Sequence, residues 1–351
     1  MKLHEMLKQI TPPDEAARAE ALRRWDACAK PLDSLGLLET AICDIAALTG
    51  SADVDLSPRA ALVLCADNGV VAQGVTQTDS SVTAAVARAL AAGRTAVCRM
   101  AARADCRVVP VDLGIRDFSG CPGVLDRRAG NGTRDLTEGP AMTREQATAA
   151  ILTGVELVRA EAARGTRLLA AGEMGIGNTT TAAAVTAVLT GSDPEAVTGR
   201  GAGLSDEGYQ RKLGAICRGI AVNHPDADDP IDVLAKLGGF DLAGLCGVFL
   251  GGALFRVPVL IDGFPSAAAA LCAARLCPAA GKAMLASHVS AEPAGALLLQ
   301  ALGKEAFITA RMRLGEGSGA VAAIPLLDMA LAVYRECYTF AEGGIQPYTR
   351  L

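Results

Sequence analysis

The sequence predicts an α/β fold built around a parallel sheet, and three observations predict it. The chain has 351 residues, 51% of them apolar and 3% aromatic, with 38 glycines, the composition of an enzyme core made from Ala, Val and Leu. From residue 60 onward, short apolar runs end in an acidic residue and a glycine-bearing loop, and an Ala-rich helical stretch follows. Before residue 60 the period is helical only.

The elements follow in order. DEAARAEALRRWDACA (14–29) spaces Ala, Leu and Trp25 at three and four residues, and SLGLLETAICDIAAL (34–48) repeats that period after Pro31. Four strands are then predicted by ALVLCAD ending at Asp67, CRVVPVD at Asp112, TRLLAAGE at Glu173 and VPVLID at Asp262. Each brings a carboxylate to a strand's carboxyl end, the edge where parallel sheets bind ligands. For any one of them, capping of the following helix is an equally good expectation. KAMLAS (282–287) and FITARM (307–312) are weaker strand candidates, and the last helix is expected to begin near Ala320. The result is a three-layer, Rossmann-like domain over residues 59–330, preceded by a helical part of a smaller domain over 1–58.

Charge and composition exclude several function classes. Thirty-three basic residues against 38 acidic ones give a net charge of -5, and no dense basic run exists to drive nucleic-acid binding. The polar N-terminus lacks a signal-peptide core, and no stretch of about 20 uncharged apolar residues predicts a membrane span. A cytoplasmic protein without membrane partners is expected. The eleven cysteines are scattered with no CxxC pair, so free thiols are expected. His4, His224 and His288 lie far apart, so neither a protein-held metal nor a cofactor is predicted.

Three segments carry chemistry. Residues 172–181, GEMGIGNTTT, follow a strand and open an Ala-rich helix; glycines there bring N–H groups close to an oxyanion, and the helix N-terminus adds its dipole. A phosphate is expected at this turn, although the run is neither GxxxxGK[ST] nor GxGxxG. A second glycine-rich run, GRGAGLSDEG (199–208), leads into a helix with Lys212, placed to add positive charge to that phosphate; taken alone, a helical lysine is far more often a solvated surface charge. In RMRLGEGSG (311–319), Glu316 stands between glycines that let it project into a cleft, which suits a general base. The competing expectation is an acid facing a helix dipole.

Together these segments resemble the nicotinate-nucleotide:dimethylbenzimidazole phosphoribosyltransferase family, which activates the lower ligand of cobamides. The likeness runs in family order through Lys30-Pro31, Ala66-Asp67-Asn68-Gly69-Val70, GEMGIGNTT, GRGAGLSDEG with Lys212, Gly238-Gly239-Phe240-Asp241, Pro258 to Phe264, Ser287-His288 with Ser290-Ala291-Glu292-Pro293, and RLGEGSGA. It implies transfer of phosphoribose from nicotinate mononucleotide to an aromatic base, with 5,6-dimethylbenzimidazole as default acceptor and Glu316 as catalytic base. It further implies that Glu173, Gly175, Gly177, Asn178, Thr179, Gly201 and Lys212, with Ser290 and Arg313, meet the phosphoribose and nicotinate. Thr78, Val86 and Met174 fall where the base should bind. The C-terminal segment 331–351 is expected to pack with the small helical domain, and the family is typically homodimeric.

The sequence departs from the family on the side of the site expected to face the base. Asn68 stands where many members have His, Val86 where a Gln is frequent, Cys98 in place of a common Asn and Leu37 in place of a common Arg. Loss of an amide at 86 makes the predicted base pocket more apolar and leaves acceptor preference open. A paralogue activating another benzimidazole, a purine or a phenol, one chain of a heterodimer, and a non-catalytic partner subunit are the alternatives.

Overall fold

The strand periodicity becomes a sheet in which every pairing is parallel. The computed structural model describes residues 3–350. Among them β1 (Arg59–Ala66), β2 (Cys106–Gly114), β3 (Leu125–Asp126), β4 (Leu168–Met174), β5 (Val259–Ile261) and β6 (Met284–Ala286) form one sheet in the order β3-β2-β1-β4-β5-β6. β1 lies beside β4, so the chain builds outward in one direction and then in the other. That reversal opens a crevice at the strands' carboxyl ends. Leu64 pairs with Glu173 across it, which puts Glu173 near the middle of the binding edge.

Strand alternation divides the interior in two. On β1, Ala60, Leu62, Leu64 and Ala66 join one apolar cluster, while Ala61, Val63 and Cys65 join the other. β4 divides likewise, with Leu169 and Ala171 on one face and Leu168 and Ala170 on the opposite one. Each fully buried Leu or Val contributes about 1.5–3 kcal/mol, so a one-residue slip would put large side chains where small ones fit. Helices Arg144–Ala163, Asn178–Thr190, Phe240–Leu254 and Phe264–Leu276 cover the first face. Helices Glu15–Ala27, Leu37–Thr49, Ala96–Arg103 and Ser318–Glu336 cover the second.

The two chain ends meet on that second face. Trp25 packs against Tyr334 with ring centroids 5.1 Å apart, and Arg350 pairs with Asp26 at 2.7 Å and with Asp33 at 2.8 Å. These terminal helices share their apolar cluster with the sheet, and helix Ser318–Glu336 runs through position 330 without a break. That helix is long and apolar enough to cross a membrane by length and composition. Val321, Ile324 and Leu327 on it are buried in the second cluster, and its Asp328 pairs with Arg59 at 2.7 Å.

The structure differs from the sequence expectation in three places. The 307–312 run is not a strand: it follows β6 through one bridge between His288 and Ile308, and Arg311 at φ 53° turns it away from extended backbone. β3 is a two-residue exposed pair that no periodicity could announce. The last helix starts at Ser318, two residues early, because an acid from β5's end caps it.

Candidate active site

All four acids at the strand ends are buried, and their partners separate them. Asp67 accepts from the Arg116 N–H at 2.9 Å, and Asp112 accepts from Gly114 and Ile115 N–H at 3.0 and 2.8 Å. Asp262 accepts from Gly317, Gly319 and Ala320 N–H at 3.1, 2.6 and 3.1 Å. It therefore caps the last helix of the chain, not the helix that follows it in sequence. Glu173 is the one of the four that faces the cleft.

That cleft is a cavity of about 300 Å³ over the switch point. The loops after β1 (75–78), β4 (175–179), β5 (263–265) and β6 (288–292) wall it, together with 200–204 and 313–316. Two contacts join its rims: Gln77 Nε2 donates to the Gly203 carbonyl, and Arg211 Nε donates to the Gly74 carbonyl at 3.0 Å.

Glu316 is held in an unusual backbone conformation. Its φ is 62°, between Gly315 at 88° and Gly317 at 85°, so three consecutive residues lie in the left-handed region. Only glycine adopts that region freely, and a strained non-glycine residue at a cleft is a mark of function. The turn fits closely on β4: a Cβ at Gly172 would stand 2.6 Å from the Glu316 carbonyl carbon, and the Glu316 N–H donates to the Glu173 carbonyl at 3.2 Å. One Glu316 carboxylate oxygen, Oε2, accepts from the Val97 N–H at 3.3 Å, in the first turn of helix Ala96–Arg103. The helix terminus thus orients the side chain.

Glu173 lies beside it in a different environment. Burial, then the charges of Asp241 and Asp262, push its carboxyl well above the ordinary range, while Asn178, which donates to Oε2, opposes this. Burial therefore shifts its balance toward the protonated form, next to the half-buried Glu316.

The two glycine-rich loops are tied together from below. Lys212 is buried, and its Nζ donates to Thr179 Oγ1 at 2.8 Å and to the Gly199 carbonyl at 2.9 Å. Burial lowers its pKa to about 8. Gly177, at φ 93°, precedes helix Asn178–Thr190, whose first turn no side chain caps among the described residues; the Asn178 and Thr180 N–H groups meet the Gly175 and Gly177 carbonyls, and Asn178 and Thr179 line the cavity.

Beneath the 175–177 turn lies a second polar layer. Asn68 Nδ2 donates to the Ile176 carbonyl and to Asp241 Oδ2, both at 3.4 Å, and the Ile176 N–H donates to Thr83 Oγ1 at 3.2 Å. Gly175 is confined from below, since a Cβ there would stand 2.6 Å from Asp241 Oδ2. Burial pushes Asp241 up to about 6.

Of the residues singled out from sequence, Glu173, Met174, Gly175, Gly177, Asn178, Thr179, Gly201, Thr78, Ser290, Arg313 and Glu316 all line this one cavity. Lys212 lies behind the wall and is not a solvated surface charge. Val86 is not in the lining; it is half-buried on helix Ser81–Ala91 and packs against the second apolar cluster. His288, Gln77 and Glu292 also line the cavity without having been singled out. For Glu292 the available signal was its place two residues after Ser290, in the run Ser290-Ala291-Glu292-Pro293.

The chain is similar to known proteins along nearly its whole length. A family model described as a phosphoribosyltransferase matches residues 10–345. The nicotinate-nucleotide–dimethylbenzimidazole phosphoribosyltransferase of Acetivibrio thermocellus is 45% identical over 346 residues, covering 99% of both chains. Its counterpart from Ruminiclostridium cellulolyticum is 42% identical over 351 residues, covering 100% of both. The crystal structure of CobT from Thermus thermophilus superimposes with a TM-score of 0.89 at 41% identity, covering 94% of this chain and 99% of that one.

Proposed function

This chain belongs to the nicotinate-nucleotide–dimethylbenzimidazole phosphoribosyltransferase family, and from that premise we propose that its cleft transfers phosphoribose from nicotinate mononucleotide to 5,6-dimethylbenzimidazole. The products are α-ribazole 5′-phosphate and nicotinate, in the nucleotide-loop branch of cobamide biosynthesis. The bond from C1′ to the pyridinium nitrogen breaks, and its electron pair leaves on nicotinate as a neutral ring nitrogen, so no acid is required there. A ring nitrogen of the incoming base bonds to C1′ on the opposite face, which converts the β-linkage to α, and the azole proton passes to a carboxylate.

The observation that carries this reading is the convergence of Glu316 and both glycine-rich loops on one cavity. Glu316 is the proton acceptor in this scheme. Its carboxylate is oriented through Oε2 by the Val97 N–H, which leaves Oε1 for the azole. The N-terminus of helix Asn178–Thr190, with the Lys212 charge behind it, suits the 5′-phosphate. Reaction then rests on holding C1′ in line with the attacking nitrogen and on a single proton transfer. The chain is taken to work in the cytoplasm as a homodimer.

The test is nicotinate release by the purified single chain, offered the mononucleotide with a panel of bases. Benzimidazoles are expected to be the best acceptors, with no second homologous chain required. Release only with a phenol, or only after a related chain is added, would favour a paralogue or a partner subunit.

A further inference from the structure

Glu292 is nine-tenths buried in the cavity wall: among the described residues neither carboxylate oxygen has a hydrogen-bond partner, Oε2 being sealed from solvent and Oε1 the one left accessible. It lies against Gly199, where a Cβ would collide with Oε2, so the absence of a side chain at 199 makes room for the carboxylate. The Gly199 carbonyl accepts from Lys212, and the charge of Glu292 favours the protonated lysine. A carboxylate and an ammonium thus flank one peptide of the 199–204 loop.

A largely buried carboxylate that meets no protein donor is costly, and an arrangement that keeps one at a cavity wall makes physical sense when a ligand brings a donor to its accessible oxygen. On the reading above, the donors available are few. The pyridinium nitrogen of nicotinate mononucleotide carries no hydrogen, its carboxylate only accepts, and its phosphate is an anion that Glu292 would repel. What remains on the nucleotide is the ribose 2′- and 3′-hydroxyls. The azole N–H of the acceptor belongs to Glu316, on a different segment.

We propose that Glu292 accepts a hydrogen bond from a ribose hydroxyl of the mononucleotide, and is thereby the residue with which the cleft distinguishes a ribonucleotide from a deoxyribonucleotide. This rests on the phosphoribosyl-transfer reading. The bond also strengthens as positive charge develops on the sugar during C1′–N cleavage, so Glu292 acts on turnover as well as on binding.

The experiment compares nicotinate mononucleotide with its 2′-deoxy and 3′-deoxy analogues in the wild type, Glu292→Gln and Glu292→Ala, reading kcat/KM for transfer and Kd by calorimetry. A hydrogen bond to a charged group makes one deoxy analogue weaker by about 10- to 100-fold in the wild type. Both variants are expected to lose a similar factor on the ribonucleotide and to discriminate far less against that analogue. Unchanged discrimination in the variants overturns the proposal. So do wild-type values for both analogues within about twofold of the ribonucleotide, an arm that needs no variant to fold. Calorimetry supplies the same ratios if turnover is lost. No transfer from the ribonucleotide by the wild type overturns the reading itself, and this proposal with it.

Discussion

Lys212 Nζ donates to Thr179 Oγ1 at 2.8 Å, fastening the first turn of helix Asn178–Thr190 to the loop whose Gly199 carbonyl the same ammonium holds. One buried charge therefore organises two backbone turns that approach the cavity separately. Its position carries an electrostatic penalty that a bound anion would relieve.

That penalty sets a pH dependence. Burial lowers Lys212 from 10.5 to about 8, so between these values the unfolded chain binds the extra proton and stability rises with pH. The full span corresponds to about 3 kcal/mol. Urea denaturation of wild type and Lys212→Met across this window is expected to show a rising component in the wild type that the variant lacks. Mononucleotide affinity should fall over the same window in the wild type, and be weak and flat in the variant.

The left-handed φ of 62° at Glu316 separates fold from chemistry. Glu316→Gln keeps the strain and the shape, and is expected to melt like the wild type while losing about 10²–10⁴-fold in turnover. Glu316→Gly and Glu316→Ala should both be inactive, yet the glycine variant should be more stable than the alanine one by about 1 kcal/mol, because only glycine relaxes there. Near-normal turnover in Glu316→Gln would remove this residue from the mechanism.

Asp241 predicts the opposite slope. Its folded value, pushed up by burial to about 6 from 3.8, means that the native state holds the extra proton between those limits, so stability falls as pH rises through them. Asp241→Asn should lack that component, worth about 3 kcal/mol over the window. Thermal melts at pH 4 and pH 7 read the difference, and an identical pH response in both proteins would count against it.

Val86 tests which side chains choose the acceptor. Since it packs against the apolar cluster rather than lining the cavity, Val86→Gln is expected to leave the ranking of accepted bases unchanged. Replacement of Thr78 or Met174, which do line it, should alter that ranking. Competition assays with paired bases measure it directly.

The sheet and the location of its binding edge were legible in the sequence, because strand alternation and glycine-bearing loops are local signals. Asp67 and Asp262 immediately follow β1 and β5, and Asp112 and Glu173 lie within two residues of the ends of β2 and β4. Glu316, between two glycines, was also legible as a cleft residue, and family likeness extended that to the reaction. The roles of the strand-end acids were not legible. Asp67, Asp112 and Asp262 bind backbone N–H groups, and Asp262 caps a helix that begins far along the chain, at Ser318.

What the sequence determined by itself was the periodicity of each element, the order of the strands along the chain and the segments able to turn sharply. Tertiary structure alone decided that Lys212 is buried and Val86 packed against the second apolar cluster, that burial raises the Glu173 carboxyl, and that Glu292 has an oxygen without a donor among the described residues. The reason is physical: conformational preference is set by near neighbours in the chain. Solvation and hydrogen-bond satisfaction depend on which distant segments the fold packs around a group.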